Sequence, residues 1–234
     1  ATLRPARAPR PPPVTGPWRL SMLLAAPHRL AVFLAMLILV AASGWWLWVQ
    51  LARAQGGLGL TYAVSPTLTH AAVMVLGFMP LFFAGFLFTA GPNWLRVAPL
   101  PAARLLAPLG LQAAGWLLWL AGARLHIGLA LVGLALACVG LAWMQRLFWR
   151  LIAASRVADR VHAKAVGVGG VVGVLCLAGT GLALAAGDLA LALALVRTAL
   201  WGFIVVTFVS VAHRMIPFFT SSVLPLIDIW RPFW

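Results

Sequence analysis

The chain has 234 residues, of which 64% are hydrophobic and 9% charged, and its 17 basic and 3 acidic residues give a formal net charge of +14. Soluble domains run nearer a quarter charged, so the composition excludes an ordinary globular protein, and three scattered acids exclude a paired-carboxylate catalyst. The basic residues fall between long apolar runs, where they set membrane orientation, and so they imply no nucleic-acid partner.

Residues 1–19, ATLRPARAPRPPPVTGPWR, are rich in proline and arginine and lack helical periodicity, which predicts an extended cytoplasmic arm. The apolar run that follows is too long for a secretory signal and has no small-residue cleavage site. From residue 20 to residue 234 the sequence predicts one transmembrane helical bundle, the first part of a longer membrane domain. A spanning helix needs about 20 predominantly apolar residues. Six segments meet that requirement: 28–52, 68–90, 102–123, 127–149, 164–186 and 189–213. Lipid offers no hydrogen-bond partner to the backbone, so these runs must be helices, and the alternation of a membrane β-barrel is absent. The fold class is therefore all-α, a polytopic bundle in contact with the lipid bilayer.

Charge tests this division. With the amino terminus cytoplasmic, 14 of the 17 basic residues fall on the inner side, and only Arg53 and Arg124 lie outside. That asymmetry predicts six spans with both ends cytoplasmic, in a bacterial inner membrane. The seventeenth, Arg197, falls inside the sixth span within LALALVRTALWGF. A charge so placed costs at least about 2.5 kcal/mol unless it snorkels or pairs. It either reaches the headgroups or meets an anionic partner such as a haem propionate.

In the second span, Gly77, Ala84 and Gly85 permit close helix approach, and Phe78, Phe82, Phe83, Phe86 and Phe88 fill space or wall a macrocycle pocket. Pro80 removes a backbone hydrogen bond there and predicts a kink. Cys138 and Cys176 lack metal-ligand spacing and read as small buried hydrophobes. No phosphate loop or nucleophilic triad is present. Of five histidines, His70 and His126 lie toward the outer surface, and His28, His162 and His213 toward the cytoplasm. Imidazoles from facing helices commonly hold haem iron or copper in a bundle. His70 and His213 are the metal candidates, in separate sites at opposite ends of their spans, with His126 and His162 as their respective partners. Near His213, Arg214 reads as a positive-inside boundary residue and Pro217 as the end of the regular helix.

Two stretches carry a resemblance. HAAVMVLGFMPLFFAGFLFTAGPNWL, from His70 to Leu95, is similar to the second-span signature of the NnrS family, which reads approximately HAHEMLFGF and then GFLLTAVPNW. The later HRMIPFFTSS resembles that family's GRVIPFFT element, so that Arg214, Pro217, Phe218, Phe219 and Thr220 are motif residues. The order and approximate separation of the two elements also agree. NnrS proteins are polytopic bacterial membrane proteins of roughly twelve spans that bind haem and copper and are associated with nitric oxide. The resemblance covers most of the chain from His28 and implies the N-terminal half of such a protein. It also implies a haem b cofactor, copper more weakly, nitric oxide as ligand, and a role against nitrosative stress. Arg197, Arg214 or Thr220 would supply a hydrogen-bond donor near bound ligand.

The chain departs from the pattern. The family's second histidine and the glutamate after it fall on Ala72 and Val73, and His213 stands where the family commonly has glycine. Two other functions stay open: an accessory or assembly subunit of a respiratory oxidase or other membrane complex, and a small-solute transporter. Turnover is not decided by these residues.

Overall fold

The computed structural model describes residues 19–56 and 61–223, and among them every regular element is helical. A short 3-10 turn at Leu20–Ala25 precedes the first span. Six helices are long and apolar enough to cross a membrane: α1 (Pro27–Ala54), α2 (Pro66–Leu95), α3 (Ala103–Leu125), α4 (Ile127–Ala154), α5 (Val161–Ala185) and α6, whose spanning part is Leu189–Ile216 and whose helix continues to Val223. Each apolar run yields one helix because no other backbone arrangement satisfies its N–H and C=O groups in lipid.

Alternate helix ends bring the basic segments together. Arg96 and Arg104, then Arg146, Arg150, Arg156 and Arg160, then Arg214 lie at one end of the bundle, called here the basic end. Arg53 and Arg124 lie at the far end. The side facing outward is strongly apolar, with Val40, Leu182 and Trp201 each about 70% exposed, as a lipid-facing surface requires.

The α3–α4 hairpin is the tightest unit. A single residue, His126, links Leu125 to Ile127. The helices touch backbone to backbone: a Cβ on Gly115 would stand 2.5 Å from the Ala137 nitrogen, and one on Gly133 2.6 Å from the Gly115 oxygen. Only glycine allows this approach, and small residues at such faces replace the hydrophobic effect as the source of helix association in lipid.

Both α2 and α6 carry a π-helical turn, Val73–Phe78 in the first half of α2 and Leu200–Val205 near the middle of α6. In α2 the turn directly precedes Met79 and Pro80, so the disturbance expected from this proline takes the form of a wide turn. Pro80 has no N–H to give to the carbonyl of Leu76, four residues back. A side chain from α3 meets that carbonyl instead: Gln112 Nε2 donates to Leu76 O at 3.1 Å. The same amide accepts from Trp116 Nε1 at 3.2 Å, and Trp119 Nε1 donates to Thr69 O at 3.2 Å. Gln112, Trp116 and Trp119 are fully buried, so this polar staple fixes α2 against α3 inside the membrane.

One sequence expectation is overturned. Pro217 does not end the regular helix, which runs on through it to Val223. A proline can ride inside a membrane helix because its fixed φ suits the helix and neighbouring groups take over the missing bond. The two cysteines are free, Cys176 buried and Cys138 partly so, as expected of small apolar fillers.

Candidate functional site

The basic end gathers more chemistry than any other region described. Ser155 ends α4 and donates its Oγ to Leu95 O at 2.7 Å, tying the α4–α5 loop to the last residue of α2. Arg160 Nη1 donates to Ser155 O at 2.9 Å, so the loop is closed on itself. Asp159 then accepts from the Val161 N–H at 3.2 Å at the first turn of α5, where a carboxylate suits the exposed amide groups. Its other oxygen accepts from Arg214 Nη2 of α6 at 2.8 Å. The Arg214 guanidinium also lies 6.0 Å from the ring centre of Trp94 in α2, a cation–π distance.

That contact has a sequence meaning. Trp94 belongs to the GPNW end of the first motif and Arg214 to the HRMIPFFT element. Two stretches more than a hundred residues apart therefore meet at one point, with Asp159 of the intervening loop completing the link.

Beside this link, His162 of α5 and His213 of α6 lie with ring centres 4.7 Å apart and planes 18° from parallel. The structure thus brings together two of the four candidate histidines, His213 and the partner expected for it on that side. The Nδ1 atom of His162 is buried without a hydrogen-bond partner. His28, placed on the same side by the charge pattern, is exposed at the start of α1, where its backbone faces Gly85.

At the far end the two outer histidines do other things. His70 stacks on Trp46 of α1, with ring centres 4.4 Å apart and planes 16° from parallel, and the Arg53 guanidinium covers the Trp46 ring at 5.5 Å. The Nδ1 of His70 is buried without a partner. His126 is exposed and its Nδ1 accepts from the Gly128 N–H at 3.0 Å, which makes it the cap of α4. Arg124 lies over Tyr62 at 5.8 Å and donates to the Thr61 carbonyl, fixing the loop before α2. Arg53 and Arg124, the two arginines of the far end, thus each lie over an aromatic ring.

Arg197 sits on an exposed face of α6, and no ion pair involves it among the described residues. Thr220 donates its Oγ1 to Ile216 O at 2.9 Å within its own helix. Pro217, Phe218 and Phe219 lie on the helical backbone of α6, but their side chains are outside the described part. Among the described residues, no group of three or more His, Cys, Asp or Glu side chains could share a metal.

Sequence reasoning missed Gln112, Gln145 and Trp94. The signal for the two amides was available: each is a lone amide inside an apolar span, and a polar group there is expensive unless it has a task. Trp94 stood in the PNW end of the first motif, which marked it among the twelve tryptophans but not the contact it makes.

A family model described as NnrS protein matches residues 22–233 of the chain. No curated protein matches it, and no solved structure does.

Proposed function

Since the chain belongs to the NnrS family, we propose that it is a bacterial inner-membrane protein that handles nitric oxide and limits nitrosative stress, with haem, and secondarily copper, as its cofactors. The observation that carries this reading is the family match over nearly the whole chain. The meeting of both motif elements at Trp94 and Arg214 supports it. Nitric oxide is small and uncharged and partitions into lipid, so a bundle with three acids in the whole chain suits it better than a charged substrate.

The described histidines do not by themselves fit the group. Two imidazoles on opposite faces of one haem iron, with bonds of about 2.0 Å, set their ring centres roughly 6 Å apart. Near-parallel rings at 4.7 Å leave no room for a macrocycle between them. A metal-bound histidine ordinarily donates its other ring N–H to an acceptor. The buried Nδ1 atoms of His70 and His162 have none. No step of a reaction is therefore assigned to bound haem or copper. His213 and His70 remain the proposed donors at the two ends, each through a single nitrogen, with His162, His126 and Arg197 as their neighbours.

The test is the optical spectrum and copper content of protein expressed with haem supply, together with survival of cells under nitric oxide. A Soret band in the wild type, reduced in His213→Ala or His70→Ala with the fold intact, is the expected result. No Soret band, no copper and no protection would end this reading. The unfitted histidines favour one alternative, an accessory or assembly subunit of a respiratory oxidase. Co-purification with an oxidase, unchanged by either substitution, distinguishes it.

A further inference from the structure

Among the described residues, seven buried side-chain nitrogen or oxygen atoms have no hydrogen-bond partner in the protein, and five of them lie in the basic half of the bundle: Gln145 Oε1, Thr207 Oγ1, His162 Nδ1, Arg160 Nε and Arg214 Nε. A buried polar group costs free energy unless something meets it, so this concentration calls for one partner common to all. The five belong to α4, to α5 and the residue before it, and to α6. Gln145 is the deepest, about 14 Å along α4 from the helix end at Ala154 at 1.5 Å per residue.

Packing places these groups in a row. A Cβ at Gly170 of α5 would collide with the Gln145 amide, and one at the adjacent Gly169 would stand 3.2 Å from Gly202 O and 3.6 Å from the Phe203 Cα of α6. The amide therefore sits at the level of Phe203. The stacked rings of His162 and His213 fix the same two helices nearer the basic end. Thr207 and Ser210, both buried, fall between these levels on α6, and by their spacing they share one helix face with Phe203 and Arg214. Thr207 is unlike its fellows: Thr69, Thr89, Thr180, Thr198 and Thr220 each donate to the carbonyl four residues back. For Thr207 that carbonyl is Phe203 O, inside the π-turn. The wider winding there breaks the usual register and leaves the hydroxyl unmatched.

The chemistry of the row selects its ligand. The Nε–H groups of Arg160 and Arg214 can only donate, and Gln145 Oε1 can only accept. An anion would serve the first kind and fail the second, and a cation the reverse. Water serves both. The pocket beside Gln145, lined also by Pro80, Ala84, Met144 and Phe203, measures about 20 Å³, room for one water. We propose that a row of ordered waters enters the bundle from the basic end, passes Arg214, His162 and Thr207, and stops at Gln145. It is a half-channel. Beyond Gln145 the pocket wall is Leu141 and Pro80, and the two remaining unmatched atoms, on Tyr62 and His70, belong to the far end. Water, with the protons it carries, thus reaches the interior from one side without crossing the bundle. The argument uses these polar atoms alone and stands apart from the cofactor reading.

Radiolytic labelling in heavy-oxygen water tests this on the full chain in lipid nanodiscs. A brief X-ray pulse converts bound water to hydroxyl radical, which marks the side chains beside it with the heavy oxygen. Met144 and Phe203, 3% and 2% exposed, are expected to take up the label. Trp116 and Trp119, equally buried but with their N–H groups bonded within the protein, are expected to stay unmarked. Thr207→Val keeps the shape and removes one step of the row, so labelling of Met144 and Phe203 should fall about tenfold, the loss of one good hydrogen bond. Gln145→Leu should do the same from the inner end, and Met215, near the basic end, should keep its label in both. Absence of label from Met144 and Phe203 in the wild type overturns the proposal, as does label that both substitutions leave unchanged. Density for a lipid chain in the pocket of a crystal structure overturns it as well. None of these readouts depends on haem, copper or nitric oxide turnover.

Discussion

Replacing Gln112 by leucine tests whether a side chain from one span repairs the backbone of another. The substitution keeps the volume nearly constant but deletes the bond from Gln112 Nε2 to Leu76 O at 3.1 Å and the bond from Trp116 Nε1 at 3.2 Å. Interhelical hydrogen bonds in membranes average about 0.6 kcal/mol and reach about 1.7. Here both stranded partners are buried, and the Leu76 carbonyl has already lost the N–H that Pro80 lacks. Two bonds near the upper end of that range give an expected loss of about 2–3 kcal/mol. Unfolding by sodium dodecyl sulfate in mixed micelles, followed by tryptophan fluorescence, measures it. The sharper readout is the pair with Pro80→Ala, which restores a donor for Leu76. The double variant should recover about 1 kcal/mol relative to the sum of the singles, a coupling that only residues sharing a partner show. A loss under about 0.5 kcal/mol with no coupling would refute the account.

Two further substitutions probe other parts of the bundle. Gly115→Leu should prevent the α3–α4 contact, since even a Cβ there stands 2.5 Å from a backbone nitrogen; the expected loss exceeds about 3 kcal/mol, and a folded variant of normal stability would show that the hairpin is looser than described. Arg197→Leu should leave micellar stability unchanged or raise it, because the side chain is exposed on an apolar helix and leucine is favoured over arginine in mid-membrane by about 3 kcal/mol; a drop of more than about 1 kcal/mol would reveal a partner for the guanidinium.

The six spans were legible because each is a long apolar run with no competing reading. Their ends were less so, for particular reasons. Gly91 and Pro92 look like a stop after residue 90, yet the helix carries Pro92 inside it and ends at Leu95. Arg146 and Arg150 look like a boundary near residue 149, but their helix continues to Ala154. A basic residue marks the membrane surface, which is not the same as a helix end. The identity of the fold was visible in two motifs, while their meeting at Trp94 and Arg214 was not, since contact across a hundred residues depends on which helices become neighbours. The histidines show the same limit. His126 and His70 share a side in the sequence, but the first is drawn into capping its own helix and the second into stacking on Trp46. His162 and His213 come together because α5 and α6 are antiparallel neighbours that present them at the same level.

The one-residue link at His126 also bears on how the protein enters the membrane. Helix α3 is the least apolar of the six, with a mean hydropathy of 1.4 in its best window against 2.3 for α4. It contains Gln112 and two arginines, at 104 and 124. A connection this short cannot leave α3 waiting on one side while α4 is still being made, and the facing glycines let the two zip together at once. Biosynthetic insertion therefore treats them as a single hairpin, in which the strongly apolar partner carries the weaker one across. In a translocon assay, α3 alone should insert poorly and α3 followed by α4 should insert fully.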